Sequence, residues 1–214
     1  VIGASGFTQT PGQGKAQGAA YIYKNDKGFY RQVQFTSGTP VDHAAGVSNA
    51  SYLTFADTNI DGSVGFDVAV SPQNLVAIAS TKKTDETSAI AMHPNADLTN
   101  WTVNDILTGV VDQGRSIKLG QSMAFDKEVS GSSQWFVAGA PLAGSGVNEL
   151  GMVRVNYGTK GETNSFAGYE LPKTSTEIVG ATPHDANERF GTSVAVHNGR
   201  IVVGAPGLTG QSGV

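Results

Sequence analysis

The stretch Phe190-Gly191-Thr192-Ser193-Val194-Ala195-Val196-His197-Asn198-Gly199-Arg200-Ile201-Val202-Val203-Gly204-Ala205-Pro206-Gly207 decides how the rest of the chain is read. Two β-branched runs flank the polar tetrad His197-Asn198-Gly199-Arg200, and Asn-Gly between such runs is a strong hairpin signal. The stretch therefore predicts two consecutive antiparallel strands, the second ending on small residues.

The pattern recurs, and a repeat fixes an architecture before any single element does. The small-residue ending appears as Val1-Ile2-Gly3-Ala4-Ser5, Val76-Ala77-Ile78-Ala79-Ser80, Val137-Ala138-Gly139-Ala140-Pro141 and Val202-Val203-Gly204-Ala205-Pro206. Aligned on Ala4, Ala79, Ala140 and Ala205, the repeats stand roughly 60 to 75 residues apart. Preceding strands are expected at Val64 to Val70, Leu119 to Phe125 and Phe190 to Val196. A third alternating run follows at Ala19 to Tyr23, Ser88 to Met92 and Met152 to Tyr157, and a fourth at Phe29 to Phe35, Trp101 to Leu107 and Tyr169 to Leu171. Four short strands per unit is the layout of a β-propeller blade, one antiparallel sheet stacked radially on the next. Gly and Ala in the second strand suit crowded inner positions where neighbouring sheets approach closely.

On these residues the chain resembles the FG-GAP family, the integrin α-subunit type of β-propeller repeat. Phe190 to Gly207 carries both halves of the motif, Leu119 to Pro141 carries it with Leu119 in place of Phe, and Val64 to Ser80 lacks the Gly-Ala-Pro ending. Gly18-Ala19-Ala20-Tyr21-Ile22-Tyr23 is similar to the family's third strand. The expected fold is all-β, a partial ring of about three four-stranded blades over 1–214, with blades near 1–36, 64–107, 119–172 and 190–214 and a long interblade loop at 36–63. Known propellers close with roughly four to eight blades. Further blades, on a longer form of the protein or on another chain, are thus expected to complete the ring.

Composition agrees and narrows the function classes. The apolar share of 39% against 15% charged residues excludes a charge-rich disordered chain and a coiled coil. A net charge of −4 without basic clusters argues against a nucleic-acid groove or an anchor to acidic lipid. With no Cys there is neither a disulfide framework nor a thiolate zinc site.

One segment carries the pattern of a hard-cation site. Asp57-Thr58-Asn59-Ile60-Asp61-Gly62 places oxygen-bearing side chains at alternate positions before a glycine. Asp57, Asn59 and Asp61 would converge on calcium, with a carbonyl near Ser63 and the Asp67 carboxylate completing the shell. The segment resembles the calcium loops of FG-GAP blades, although those lie between the first two strands and this one precedes Val64. The other reading is an Asx-rich turn that binds nothing.

Catalytic patterns dissolve on inspection. Gly120-Gln121-Ser122-Met123-Ala124 and Gly191-Thr192-Ser193-Val194-Ala195 approach a nucleophile elbow but end in Ala and recur within the strand repeat, which makes both serines structural. Gly12-Gln13-Gly14-Lys15-Ala16 fails the phosphate-loop pattern. The four histidines, His43, His93, His184 and His197, lack zinc spacing. Tyr21, Tyr23, Phe29 and Tyr30 cluster in one blade, with Trp101 and Trp135 in later ones. Such aromatics stack on sugar rings when exposed; packing between blades is the simpler role for most of them.

The resemblance implies an extracellular or cell-surface recognition and adhesion module that binds protein or glycan, is stabilised by calcium, and has no catalytic site. The alternatives are an accessory propeller of a secreted hydrolase or lyase, and a structural protomer of a surface layer or filament.

Overall fold

The computed structural model describes residues 1–6, 18–32, 63–72, 76–80, 88–93, 105–109, 111–112, 115–126, 133–143, 150–159, 167–171 and 188–207. Every regular element among them is a strand. The first unit has β1 (Ile2–Ala4) paired with β2 (Ala19–Tyr21); beyond the buried Ile22, β3 (Tyr23–Asp26) and β4 (Phe29–Gln32) pair as a separate ribbon. The second unit is a four-stranded antiparallel meander of β5 (Val64–Val70), β6 (Val76–Ser80), β7 (Ser88–His93) and β8 (Asp105–Gly109). A small ribbon, β9 (Val111–Asp112) and β10 (Arg115–Ser116), follows; no sequence signal pointed to it. The third unit repeats the meander with β11 (Met123–Phe125), β12 (Ser133–Ala140), β13 (Met152–Thr159) and β14 (Ala167–Leu171). The hairpin β15 (Ser193–His197) and β16 (Arg200–Gly204) begins a fourth.

Two of the three expected leading strands, those from Leu119 and from Phe190, begin later than expected, while Val64 to Val70 is found as β5. Leu119 and Phe190 do not extend their strands, because each sits in a tight turn. Ser63, Lys118 and Arg189 have left-handed backbones (φ 47°, 54° and 56°), as do Gly65, Gly120 and Gly191 two residues later (φ 73°, 87° and 93°). In all three, the first residue's carbonyl accepts the N–H of the fourth: Phe66 to Ser63, Gln121 to Lys118 and Thr192 to Arg189, at 3.0 to 3.1 Å. All three turns have a positive φ at the third position, a conformation that costs glycine least, and glycine recurs there. The residue between, Val64 or Leu119, is buried as a plug.

The register corrects the alignment of the second unit. Val68, Met123 and Val194 stand opposite Ile78, Ala138 and Val203. Ala79 thus occupies the place of Gly139 and Gly204, and Ser80 that of Ala140. Within this unit the four-residue step from Val64 to Val68 faces a two-residue step from Ser80 to Ile78.

The core explains why β12 reads as a nearly unbroken apolar run. Phe136, Ala138 and Ala140 pack on one side with Ala77, Ala79 and Ile90 of the second unit and with Leu119 and Met123. Val137 packs on the other side with Val153 and Val155, against Val194, Val196, Ile201 and Val203 of the hairpin. Sheets covered on both faces lose the polar alternation of a half-exposed sheet. Two facing sheets would bury only one face of each, so this burial departs from a two-layer sandwich.

Candidate functional site

Among the described residues, two places bring chemistry-bearing residues together: the seam between successive units, and the tip of the β3–β4 ribbon.

At the seam, the residue two positions after the turn glycine reaches into the next unit. Asp67 Oδ2 accepts the Met123 N–H at 2.5 Å, and Ser122 Oγ accepts the Val194 N–H at 3.0 Å. Asp67 and Ser122 hold equivalent places, as do Met123 and Val194, so one bond is made twice by different side chains. The elbow-like Ser122 is therefore a tether. The other Asp67 oxygen accepts the N–H of Val68 at 2.9 Å. Burial pushes the Asp67 carboxyl above its ordinary value, against the two backbone N–H groups, which pull it down.

Glycines make the seam close enough for these bonds. A Cβ on Gly139 would strike the Gly191 carbonyl, its carbon only 2.8 Å away; one on Gly3 would meet the Gly65 carbonyl in the same manner. Gly18 pairs in parallel with Val64, and Gly151 with Phe190, completing the same contact at the third strand. Between the second and third units, where Ala79 replaces the glycine, Gly120 lies over Ala79 and Ile90 instead.

A second anchor was missed from sequence. Asp126, 1% exposed, accepts the N–H groups of Asn198 at 2.8 Å and Gly199 at 2.7 Å through its two oxygens. Asn198 and Gly199 both have positive φ (51° and 71°), so their N–H groups point out of the hairpin turn, and the buried carboxylate holds them. The only signal was positional: Asp126 follows its first strand as Ser71 follows β5, and Ser71 is also buried. Asn156 was missed as well. It is wholly buried opposite Phe136, and among the described residues neither its amide nitrogen nor its oxygen has a hydrogen-bond partner.

Of the residues expected to hold calcium, the structure places Asp67 on β5 with both oxygens engaged by main-chain N–H groups. Asp57, Asn59 and Asp61 lie outside the described residues, as do the 36–62 part of the long loop, Gly12 to Ala16, Trp101, His43 and His184. Among the described residues no group of three or more His, Asp or Glu is placed to hold a metal ion.

The ribbon tip is where packing fails to explain the aromatics. Lys27 and Gly28, with φ of 52° and 91°, form its turn, and the Gly28 N–H donates to Asn25 Oδ1 at 3.0 Å. Phe29 and Tyr30 beyond it are 73% and 74% exposed. The expectation that they pack between units is not met. Successive residues of a strand face opposite ways, so the two rings flank the ribbon, Tyr30 opposite Asn25 and Phe29 opposite Asp26. Asp26 also pairs with Arg31 at 3.3 Å on the surface. Trp135, by contrast, packs against the hairpin side of the third unit.

Compared with protein-family models and with curated protein sequences, the chain matches none.

Proposed function

We propose that this chain is an arc of an FG-GAP-type β-propeller that acts as an extracellular or cell-surface recognition module, binding glycan or protein without catalysis. The observation that carries the recognition reading is the pair of rings, Phe29 and Tyr30, left in water at the end of a turn-closed ribbon. Large apolar groups held out on a rigid strand pair, beside an amide and an ion pair, match the surface that sugar rings and protein hot spots use. The propeller reading draws support from the sequential meanders, from the double-sided burial of β12, and from the seam bond made twice in one direction. A contact repeated head to tail generates rings when its rotation closes and open stacks when it does not. Asp57, Asn59 and Asp61 are the proposed calcium ligands, with Asp67 as the fourth; its oxygens keep lone pairs beyond those its N–H partners use.

Binding to a glycan array and to extracellular-matrix proteins tests this directly, with the wild-type chain, Phe29→Ala and Tyr30→Ala. Both side chains are exposed, so each variant should keep its melting temperature and lose about tenfold or more in affinity. Equal binding by all three proteins would refute the ribbon as the site. A melting temperature unmoved by calcium or a chelator would remove the calcium assignment alone.

A further inference from the structure

We propose that Asn198-Gly199 is a self-modification site, where the chain converts its own asparagine to aspartate and isoaspartate, and that the buried Asp126 carboxylate holds it unreacted while the hairpin is seated. The inference stands apart from adhesion and calcium; it uses only the contact between Asp126 and the hairpin turn.

Two neighbouring residues set the chemistry. Asparagine carries an amide carbon that the peptide nitrogen of the next residue can reach in a five-membered ring, and glycine, with no Cβ, leaves that nitrogen unobstructed. Asn198-Gly199 is the one Asn-Gly pair of the chain, and both residues are exposed, so water reaches them. In the reaction the Gly199 nitrogen attacks Asn198 Cγ. The N–Cγ bond forms, the Cγ–Nδ2 bond breaks, and Nδ2 leaves as ammonia with the proton that the peptide nitrogen gave up. Water then opens the cyclic imide, at Cγ to give aspartate or at the main-chain carbonyl to give isoaspartate. One water is consumed and one ammonia released, with no oxidant or reductant.

The structure opposes the first step at the reacting atoms. The Gly199 N–H donates to Asp126 Oδ2 at 2.7 Å and the Asn198 N–H to Oδ1 at 2.8 Å. A carboxylate is a far weaker base than a peptide anion, so it holds the Gly199 proton without removing it. Attack also requires rotation about the Asn198 Cα–C bond, which would pull that N–H off Oδ2. Pairing of His197 with Arg200 fixes both ends of the turn. Bonds from N–H groups to a buried carboxylate are charge-assisted and strong. Reaction therefore waits for the turn to lift off Asp126, a local opening. The ribbon turn is the contrast: Lys27 and Gly28 are left-handed in the same way, and the Gly28 N–H donates at an exposed position to the Asn25 amide oxygen.

The modification runs one way. Either product puts a new carboxylate beside Asp126, and like charges at that range repel. Isoaspartate also adds a carbon to the main chain between the two N–H groups that Asp126 spans. A turn that has reacted does not reseat, and the hairpin's hold on the third unit weakens.

The full chain is incubated at neutral pH and physiological temperature, and conversion at Asn198 is followed by peptide mapping, which reads the amide-to-acid mass shift and separates isoaspartate from aspartate. The folded chain should react about tenfold or more slower than the same chain unfolded in guanidinium. Asp126→Asn, whose amide offers one acceptor oxygen in place of two, should react about tenfold faster than the folded wild type. The Gly199 N–H should exchange with deuterium about tenfold or more slower than the Gly28 N–H, a comparison that needs no variant and decides the matter if Asp126→Asn does not fold. Reacted protein, separated by its extra negative charge, should melt about 4 °C or more below unreacted protein. No conversion in the unfolded chain, equal rates in folded and unfolded chains, or Gly199 exchanging as fast as Gly28 would each overturn the proposal. So would an Asp126→Asn protein that keeps both its fold and the wild-type rate, or reacted protein that melts with the unreacted.

Discussion

Gly139→Ala is the sharpest test of the seam, because its cost comes from one source. Gly139 is not among the glycines with positive φ, so alanine is conformationally acceptable there. On backbone grounds alone the substitution should stabilise the chain by about 0.4–1 kcal/mol, by reducing the freedom of the unfolded state. The new methyl, however, would collide with the Gly191 carbonyl, and the other near atoms, the Gly191 carbon at 2.8 Å and Cα at 3.2 Å, are also backbone. No side-chain rotation relieves that contact. The third unit and the hairpin must move apart, weakening the Ser122 to Val194 bond and the packing around Val137. Overpacking of this kind costs about 1–3 kcal/mol, and loss of the neutral hydrogen bond adds about 1 kcal/mol.

A net loss near 2–3 kcal/mol corresponds to a fall of about 4–12 °C in melting temperature for a chain of this size. Gly199→Ala is the control: its φ is 71°, but no atom lies within 4 Å of the added carbon. It should lose only the backbone term, about 1 kcal/mol. Thermal unfolding followed by circular dichroism reads both. If Gly139→Ala melts at or above wild type, or falls no further than Gly199→Ala, the close approach of these sheets is not what holds the units together.

Two further substitutions address the buried polar groups. Asp67→Ser places the Ser122 solution at the second seam; since burial raises the Asp67 carboxyl, the native state holds that proton more tightly than the unfolded chain. The wild type should therefore lose stability as pH rises from about 4 through the native value. Urea unfolding in chelator should show Asp67→Ser gaining on wild type between pH 3 and 7; a gap that widens against the variant as pH rises would contradict the sign. Asn156→Leu removes two buried polar atoms that lack partners and should raise stability by about 1–3 kcal/mol. A loss in the same urea titration would mean the amide is satisfied by a bound water or ligand.

The strand order was legible because the repeat carries it. Val76 to Ser80 and Val137 to Ala140 announce second strands by small-residue runs, and Asn198-Gly199 announces the hairpin, since Asn-Gly readily adopts two successive left-handed residues. Period and turn chemistry are local, and sequence shows local things. What escaped were relations across the seam. Ala79 looked like the partner of Ala140, because the small-residue letters align that way, and only the pairing of Val68 with Ile78 and Met123 with Ala138 puts Ala79 at the place of Gly139. By sequence, Asp67 reads as the closing residue of a calcium loop and Ser122 as a structural serine of the strand repeat; neither reading shows the partner that each has across the seam. Their common role appears only when each carboxylate or hydroxyl is followed to the N–H it accepts 56 or 72 residues away.

The aromatics failed in the opposite direction. Core packing explains a large ring only if a neighbour is there to cover it, and Tyr23 to Gln32 leaves its own unit's sheet after Ile22. The ribbon pairs separately from β1–β2, and Phe29 and Tyr30 on it are exposed. The glycine-built seam fixes the units, and the ribbon that departs from it is free to vary without disturbing the core. Substitutions at the exposed Phe29 and Tyr30 would therefore leave the core intact, whereas Gly3 and Gly139 are fixed by backbone contact with Gly65 and Gly191.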